Sequence, residues 1–434
     1  MSVPEFNTPF LNDYMRMVED TESPRLFHVW SAIAGGAAAL GRRCFLPFGP
    51  MKIFPNHYIA LVGTPAARKS TAINMMRKQL RKSTSVKFGP SDTGGQRQGI
   101  VEAMRGTTND QEYLDNVEIA FGEHSLLGMG VEDMARVTNE PDPDRGIVQS
   151  KDKHAVFFAM SELTKLIGQN NISMIDFLTT MYDGDDYEYQ IKAGKVSLLD
   201  PLINAIAGTT PTSLALSMPP AAGGQGFLSR IILVYGARKY KLVPRPEEPD
   251  PDLVRSVRDG FNRAYLEVSG EFSETLDARA YSESLYDIPL GIDDPRFGYY
   301  HERRYTHLIK LAMVLAGLRG STEIVKDDYL EAHRLLKATE KGMPDALGQF
   351  GMNPLAALKQ SMLDYIRSQG ALPLDALRAV FHRDARSAEF MEALNDLTKT
   401  KHATMTQNKD GSVMIASLMA KDSIEDSMFK ALSE

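Results

Sequence analysis

The residues best suited to chemistry lie in one short run, Gly63-Thr-Pro-Ala-Ala67-Arg68-Lys69-Ser70-Thr71. An apolar strand-like run, HYIALVG (57–63), precedes it, and a stretch with helical spacing, STAINMMRKQLRK (70–82), follows it. A loop between a strand and a helix N-terminus turns backbone N–H groups toward phosphate oxygens, and the helix dipole favours negative charge there. Lys69 then supplies a cation for the β- and γ-phosphates and Ser70 a hydroxyl for Mg²⁺, with Gly63, Ala67, Arg68 and Thr71 completing the cradle. The usual pattern has glycine where this chain has Arg68, so the arginine must fit the same turn or add a phosphate contact of its own. The alternative is an ordinary strand-loop-helix with a chance Lys-Ser match, and the flanking strand and helix both speak against it.

A second apolar run, HAVFFAM (154–160), ends at Ser161-Glu162. Attack of water on a phosphate needs a carboxylate to polarise the water and help hold Mg²⁺. Glu162 fits that role, or else caps the helix that follows. Ser161 stands where an aspartate is usual and brings an oxygen without charge. The run PLINAIAGTTP (201–211) ends in Thr209 and Thr210. Either a threonine orients water against the terminal phosphate, or the pair is good turn chemistry. The segment YEYQIKAGKVSLL (187–199) alternates about Lys192-Ala-Gly-Lys195 as a β-hairpin does. Its lysines are either contacts to a nucleic-acid backbone or a solvated turn. Arg230 follows a Gly-rich stretch and opens RIILVYG (230–236), where it either reaches a neighbouring subunit's phosphate or forms a surface ion pair. Arg303 and Arg304 open RRYTHLIKLAMVLAGL; one of them senses nucleotide from a helical lid, or both pair at the surface.

Strands at 57–63, 154–160, 201–211 and 230–236 alternate with helical stretches, which predicts an α/β core with a largely parallel sheet. Residues 1–50 read as helix and 51–240 as the core. The linker 241–252 carries Pro244, Pro246, Pro249 and Pro251, and 253–348 is a helical unit. After Pro354, residues 355–420 read helix-helix-helix-hairpin, the order of a winged helix, followed by an acidic tail (421–434). Lys399, Lys401, His402 and Lys409 there suit DNA, whereas Glu389, Glu392 and Asp396 would repel it and leave partner binding equally open. The polar stretch 139–153 reads as a surface insertion. Over 434 residues, 49 Lys+Arg against 56 Asp+Glu give a net charge of −7, so nucleic-acid contact has to come from a local basic feature. The single cysteine, Cys44, excludes a disulfide framework and a Cys-based zinc site and fits a reducing cytoplasm. No apolar run reaches the roughly 18–20 residues of a membrane span, and the N-terminus lacks signal-peptide character.

In their order, GTPAARKST, FFAMSEL, the hairpin with INAIAGTTP, GFLSRIILVYG and RRYTHLIKLAMVLA resemble the P-loop ATPases of bacteriophages and mobile elements. Those are kin to superfamily 3 and to the helicase half of primase-helicases. The resemblance covers roughly residues 25–340. It implies an AAA+-like P-loop core with a hairpin before the first sensor strand, ATP and Mg²⁺ as ligands, a hexameric ring, and translocation on single-stranded DNA in a bacterial host's cytoplasm. The C-terminal region, outside that resemblance, leaves contacts with other replication proteins open. Residue by residue, Lys69 and Ser70 match the P-loop pair, Glu162 the acidic strand and Thr209 or Thr210 the sensor. Lys192 and Lys195 match the hairpin tip and Arg230 the arginine finger. The departures, Arg68 for glycine and Ser161 for aspartate, bear on Mg²⁺ affinity and hydrolysis rate. The rival implied by the same motifs is a helicase loader or ATP-switched DNA-binding regulator without processive unwinding.

Overall fold

The computed structural model describes residues 6–105, 154–191, 194–218, 226–288, 292, 294–348, 354–382, 385–407 and 412–417. The expected insertion 139–153, the tail 421–434 and Lys192 lie outside these. Helices α1 (Pro9–Met17) and α2 (Arg25–Leu40) lead to the hairpin β1 (Cys44–Phe48) and β2 (Met51–Ile53). Residues 1–50 are therefore not all helix: Gly41 ends α2 and the chain turns into an extended edge. Next come β3 (Tyr58–Gly63), α3 (Lys69–Arg81), α4 (Arg97–Arg105), β4 (Ala155–Met160), α5 (Thr164–Ile167) and α6 (Ile172–Asp183). The hairpin β5 (Tyr187–Ile191) and β6 (Gly194–Leu198) is followed by β7 (Leu202–Thr209), α7 (Pro211–Ser217) and β8 (Ile231–Gly236).

Four of these strands form a parallel sheet in the order β4-β7-β3-β8. Both faces are covered, which is why each strand reads as a continuous apolar run rather than an alternating one; every residue of β3 and β7 is buried. Residues 87–89 bridge the outer side of β4, with Gly89 N–H donating to the Phe157 carbonyl at 2.9 Å. Since β7 lies between β3 and β4, the C-terminal ends of those three strands share one edge.

The second half contributes α8 (Pro251–Leu266), β9 (Gly270–Glu271), β10 (Ser273–Glu274), α9 (Leu276–Ser284), α10 (Gly298–Leu318), β11 (Glu323–Ile324), α11 (Lys326–Glu340) and α12 (Met343–Leu347). This region is not a separate helical lid. Strand β9 pairs in parallel with β1, Trp30 Nε1 donates to Thr339 Oγ1 at 2.8 Å, and one apolar core runs from Phe6 to Leu347. The all-buried α2, rich in alanine and glycine, lets α8 and α10 approach closely. A second core, around Met362, Ile366, Leu377, Phe390, Leu394 and Ile415, belongs to the C-terminal unit. That unit holds α13 (Pro354–Gln369), β12 (Leu372–Pro373), α14 (Leu374–Phe381), α15 (Ser387–Lys399), β13 (Ala403–Gln407) and β14 (Val413–Ser417), its sheet ordered β12-β14-β13. Among the described residues no helix is long and apolar enough to cross a membrane.

Candidate phosphate-binding site

At the C-terminal edge of the sheet, the loop 64–68 joins β3 to α3. Helix α3 begins at Lys69 with no side-chain cap, so its first backbone N–H groups are open to an anion. Thr64, Pro65, Ala66, Arg68 and Ser70 are exposed around Ala67, which is buried. Lys69 folds back into the loop, its Nζ donating to the Gly63 and Thr64 carbonyls at 2.9 Å each. Partial burial pulls its ammonium below the usual lysine range, and the nearby Glu162 carboxylate pushes the other way. A phosphate would replace two neutral carbonyl partners with a charged one.

Gly63 is required by close approach, because a Cβ there would lie 2.4 Å from the Gly236 carbonyl of the neighbouring strand. Arg68 adopts the left-handed conformation, φ +60°, which glycine takes at no steric cost. The chain keeps arginine and anchors it instead: its guanidinium pairs with Glu22 at 2.7 Å, and its carbonyl accepts from Ser23 Oγ at 3.1 Å. Glu22 also pairs with Lys239 at 2.7 Å. Lys239 and then Arg68 hold its carboxyl down at about 2.

The acidic turn sits two strands away. Ser161 is exposed and Glu162 half-buried; α5 takes no side-chain cap, so Glu162 is not spent on capping. Between this turn and Lys69 lies Gly208, opposite Leu61 in the register. A Cβ on Gly208 would stand 2.5 Å from the Ser161 carbonyl and 3.4 Å from Lys69 Cβ, and its own carbonyl accepts from Leu163 N–H at 2.7 Å. Gly208 was not singled out from sequence, though a glycine inside a buried strand signals close backbone approach. Gly208→Ala is expected to destabilise the chain by about 1–3 kcal/mol. An unchanged urea midpoint would sink that expectation.

The two threonines separate. Thr209 pairs in register with Val62 and is fully buried at the strand tip, between the loop and the acidic turn. Thr210 is spent as the N-cap of α7, accepting from Ser213 N–H at 3.0 Å. Thr209, at the shared edge, turns its hydroxyl to the Thr210 carbonyl at 3.3 Å.

The arginines lie elsewhere. Arg230 precedes Ile231, which pairs with Tyr58 at the start of β3, while Gly236 pairs with Gly63 at the loop. Arg230 is therefore roughly 20 Å along the strands from the loop 64–68. It is held by Asp183 at 2.7 Å and by the Gly226 carbonyl at 3.0 Å, and Arg303 takes the other Asp183 oxygen at 3.0 Å. Helix α10 crosses this N-terminal edge, with His307 Nε2 2.8 Å from the Ser229 carbonyl and Lys310 Nζ donating to Asn56 Oδ1 at 2.6 Å. Burial brings the Lys310 ammonium down to about 7.

Arg304 corrects an expectation. It is buried, with Nε 2.7 Å and Nη2 3.2 Å from the two Glu340 oxygens. Neither a surface pair nor a nucleotide sensor describes it, because its fork is filled inside the helical packing.

Lys195 sits opposite Gln190 in the hairpin ladder. The hairpin's base is bolted by Arg42, which donates to the Gly184 carbonyl at 2.7 Å and the Pro201 carbonyl at 2.9 Å and pairs with Asp200 at 2.6 Å.

Among the described residues no three His, Cys, Asp or Glu side chains gather as a metal-ion cage. A divalent cation at this edge would use the exposed Ser70 hydroxyl, Ser161, Glu162 and oxygens of its ligand. No protein-family model matches the chain, and no curated protein matches it at a significant level.

Proposed function

We propose that the chain is a nucleoside triphosphatase that acts as a homo-hexameric ring on single-stranded DNA. In this reading it is a replicative helicase of the phage and mobile-element kind. Its core is an AAA+-like P-loop domain, and residues 354–417 form a winged-helix-like unit. One observation carries the reading: Lys69, Ser70, Thr209 and Ser161-Glu162 converge on the C-terminal edge of one parallel sheet. That edge is where open α/β sheets bind ligands.

The chemistry assigned to each residue follows from its position. Lys69 and the α3 N-terminus bind the phosphates, and Glu162 polarises the attacking water, with Thr209 beside it to orient that water. Bound Mg²⁺ would neutralise phosphate charge, and the fit rests on an exposed Ser70 hydroxyl at an uncapped helix start. Arg230, on the opposite edge from its own loop, suits stabilisation of charge only in a neighbour's site. Lys192 and Lys195 on the hairpin are the DNA contacts.

A second reading, a loader or ATP-operated switch with slow turnover, is favoured by Arg68 in the left-handed position and by the uncharged Ser161. ATP hydrolysis with and without single-stranded DNA at low salt separates the two. The motor predicts strong stimulation that is lost in Lys192→Ala/Lys195→Ala. Slow turnover indifferent to DNA selects the switch, and no turnover with no nucleotide binding rejects both.

A further inference from the structure

The loop between β3 and α3 bends where no glycine stands. Ala66 at φ +69° and Arg68 at φ +60° both lie in the left-handed region, which a residue with a Cβ keeps only where its surroundings impose it. Arg68 matters more of the two, because it is the last residue before α3. Turning its backbone would swing the loop against the first N–H groups of the helix, the groups an anion meets. Its side chain is 48% exposed, so burial does not fix it.

Glu22, on the turn between α1 and α2, does. Arg68 Nε donates to Glu22 Oε2 at 2.7 Å. An exposed ion pair ordinarily contributes little, because two long side chains must be ordered to make it. Here one of the two is ordered already. Lys239 Nζ lies 2.7 Å from the same oxygen, Val243 N–H donates to Oε1 at 3.3 Å, and Tyr240 N–H donates to the Glu22 carbonyl at 2.9 Å. Only Arg68 therefore loses freedom on pairing. The neighbouring Ser23 Oγ donates to the Arg68 carbonyl at 3.1 Å, and at the other end of the loop Thr64 Oγ1 donates to the Ala237 carbonyl at 2.8 Å. The loop thus rests on a frame made of the α1–α2 turn and the segment after β8.

We infer that Glu22 is a positioning residue for phosphate binding: it holds Arg68 in the conformation glycine would adopt unaided, and so keeps the loop shaped for an anion before one arrives. The inference rests on the nucleotide reading above. A loop already in its bound shape binds more tightly, because none of the binding free energy goes into ordering it. Charge alone argues for the opposite effect, since a carboxylate beside the loop repels phosphate and its removal would tighten binding. Shape and charge pull in opposite directions, so the sign of the change decides between them.

The test is equilibrium binding of ATP with Mg²⁺ to the full-length protein and its variants. Glu22→Ala is expected to weaken binding about tenfold, and Arg68→Gly to stay within about threefold of wild type, because glycine needs no support at this φ. With Arg68→Gly in place, adding Glu22→Ala should change affinity less than about threefold, whereas a merely structural role for Glu22 would weaken binding equally in both backgrounds. Arg68→Ala keeps the Cβ and loses the anchor, so it should bind about tenfold more weakly than Arg68→Gly, a comparison that stands even if Glu22→Ala does not fold. Unchanged or tighter binding by Glu22→Ala overturns the inference. So does an equal loss in both backgrounds, a loss in Arg68→Gly as large as in Glu22→Ala, or Arg68→Ala binding as well as Arg68→Gly. Each of these leaves the nucleotide reading intact. Failure of the wild type to bind ATP overturns that reading, and the inference with it.

Discussion

Lys69→Ala is expected to lower ATP hydrolysis at least about 100-fold while costing about 1 kcal/mol of stability. The two effects separate because of where the ammonium sits. Its present partners are the Gly63 and Thr64 carbonyls, two hydrogen bonds at a partly wet loop, so losing them costs the fold little. The role proposed for it toward a triphosphate is larger. The start of α3 has no side-chain cap, and the adjacent cation, Arg68, is already paired with Glu22. Steady-state ATPase and a urea titration on the same preparation check both halves. A rate within about threefold of wild type would mean that Arg68 leaves Glu22 to take over. Lys69→Ala/Arg68→Ala should then abolish activity, and a still-active double variant would remove the phosphate site from this loop.

The largest loss of stability is expected at Glu340→Ala, about 3–5 kcal/mol. Arg304 and Glu340 are 7% and 6% exposed, and the Tyr300 hydroxyl also donates to Glu340 at 3.1 Å. Removing the carboxylate strands a buried guanidinium and a buried hydroxyl together. Arg304→Met/Glu340→Leu removes both charges and should lie within about 2 kcal/mol of wild type, because desolvation of an ion pair offsets most of its attraction. Urea denaturation of the three proteins measures this. A Glu340→Ala loss below about 1 kcal/mol would show Arg304 free to swing, and would revive its reading as a nucleotide sensor.

The parts legible in sequence were those with local causes. The four core strands are mostly apolar because both faces of the sheet are buried, with Asn204 and Thr209 the buried polar residues of β7, and the loop between β3 and α3 announces itself by spacing. The hairpin 187–199 was readable from alternation about Lys-Ala-Gly-Lys. What escaped depends on contacts between distant segments. Arg304 and Glu340 are 36 residues apart, and Arg230 finds Asp183 across 47. Glu22 reaches Arg68 across 46, with no pattern at either end to announce it. The helical region 253–348 was read as its own unit because its periodicity is strong. The pairing of β9 with β1, which ties it to the N-terminal segment, involves only two residues on the β9 side.

The Arg42 clamp sets the mechanics of the hairpin it closes. One guanidinium holds the chain where it enters, at Gly184, and where it returns, at Asp200 and Pro201. Its stem is braced by the Phe54 ring, 4.3 Å from the guanidinium carbon. The hairpin is thus a cantilever with a built-in root, not a flap on a pivot. Its root is tied to the end of α6 and to the turn before β7. Asp183, at the end of α6, is held in turn by Arg230 and Arg303.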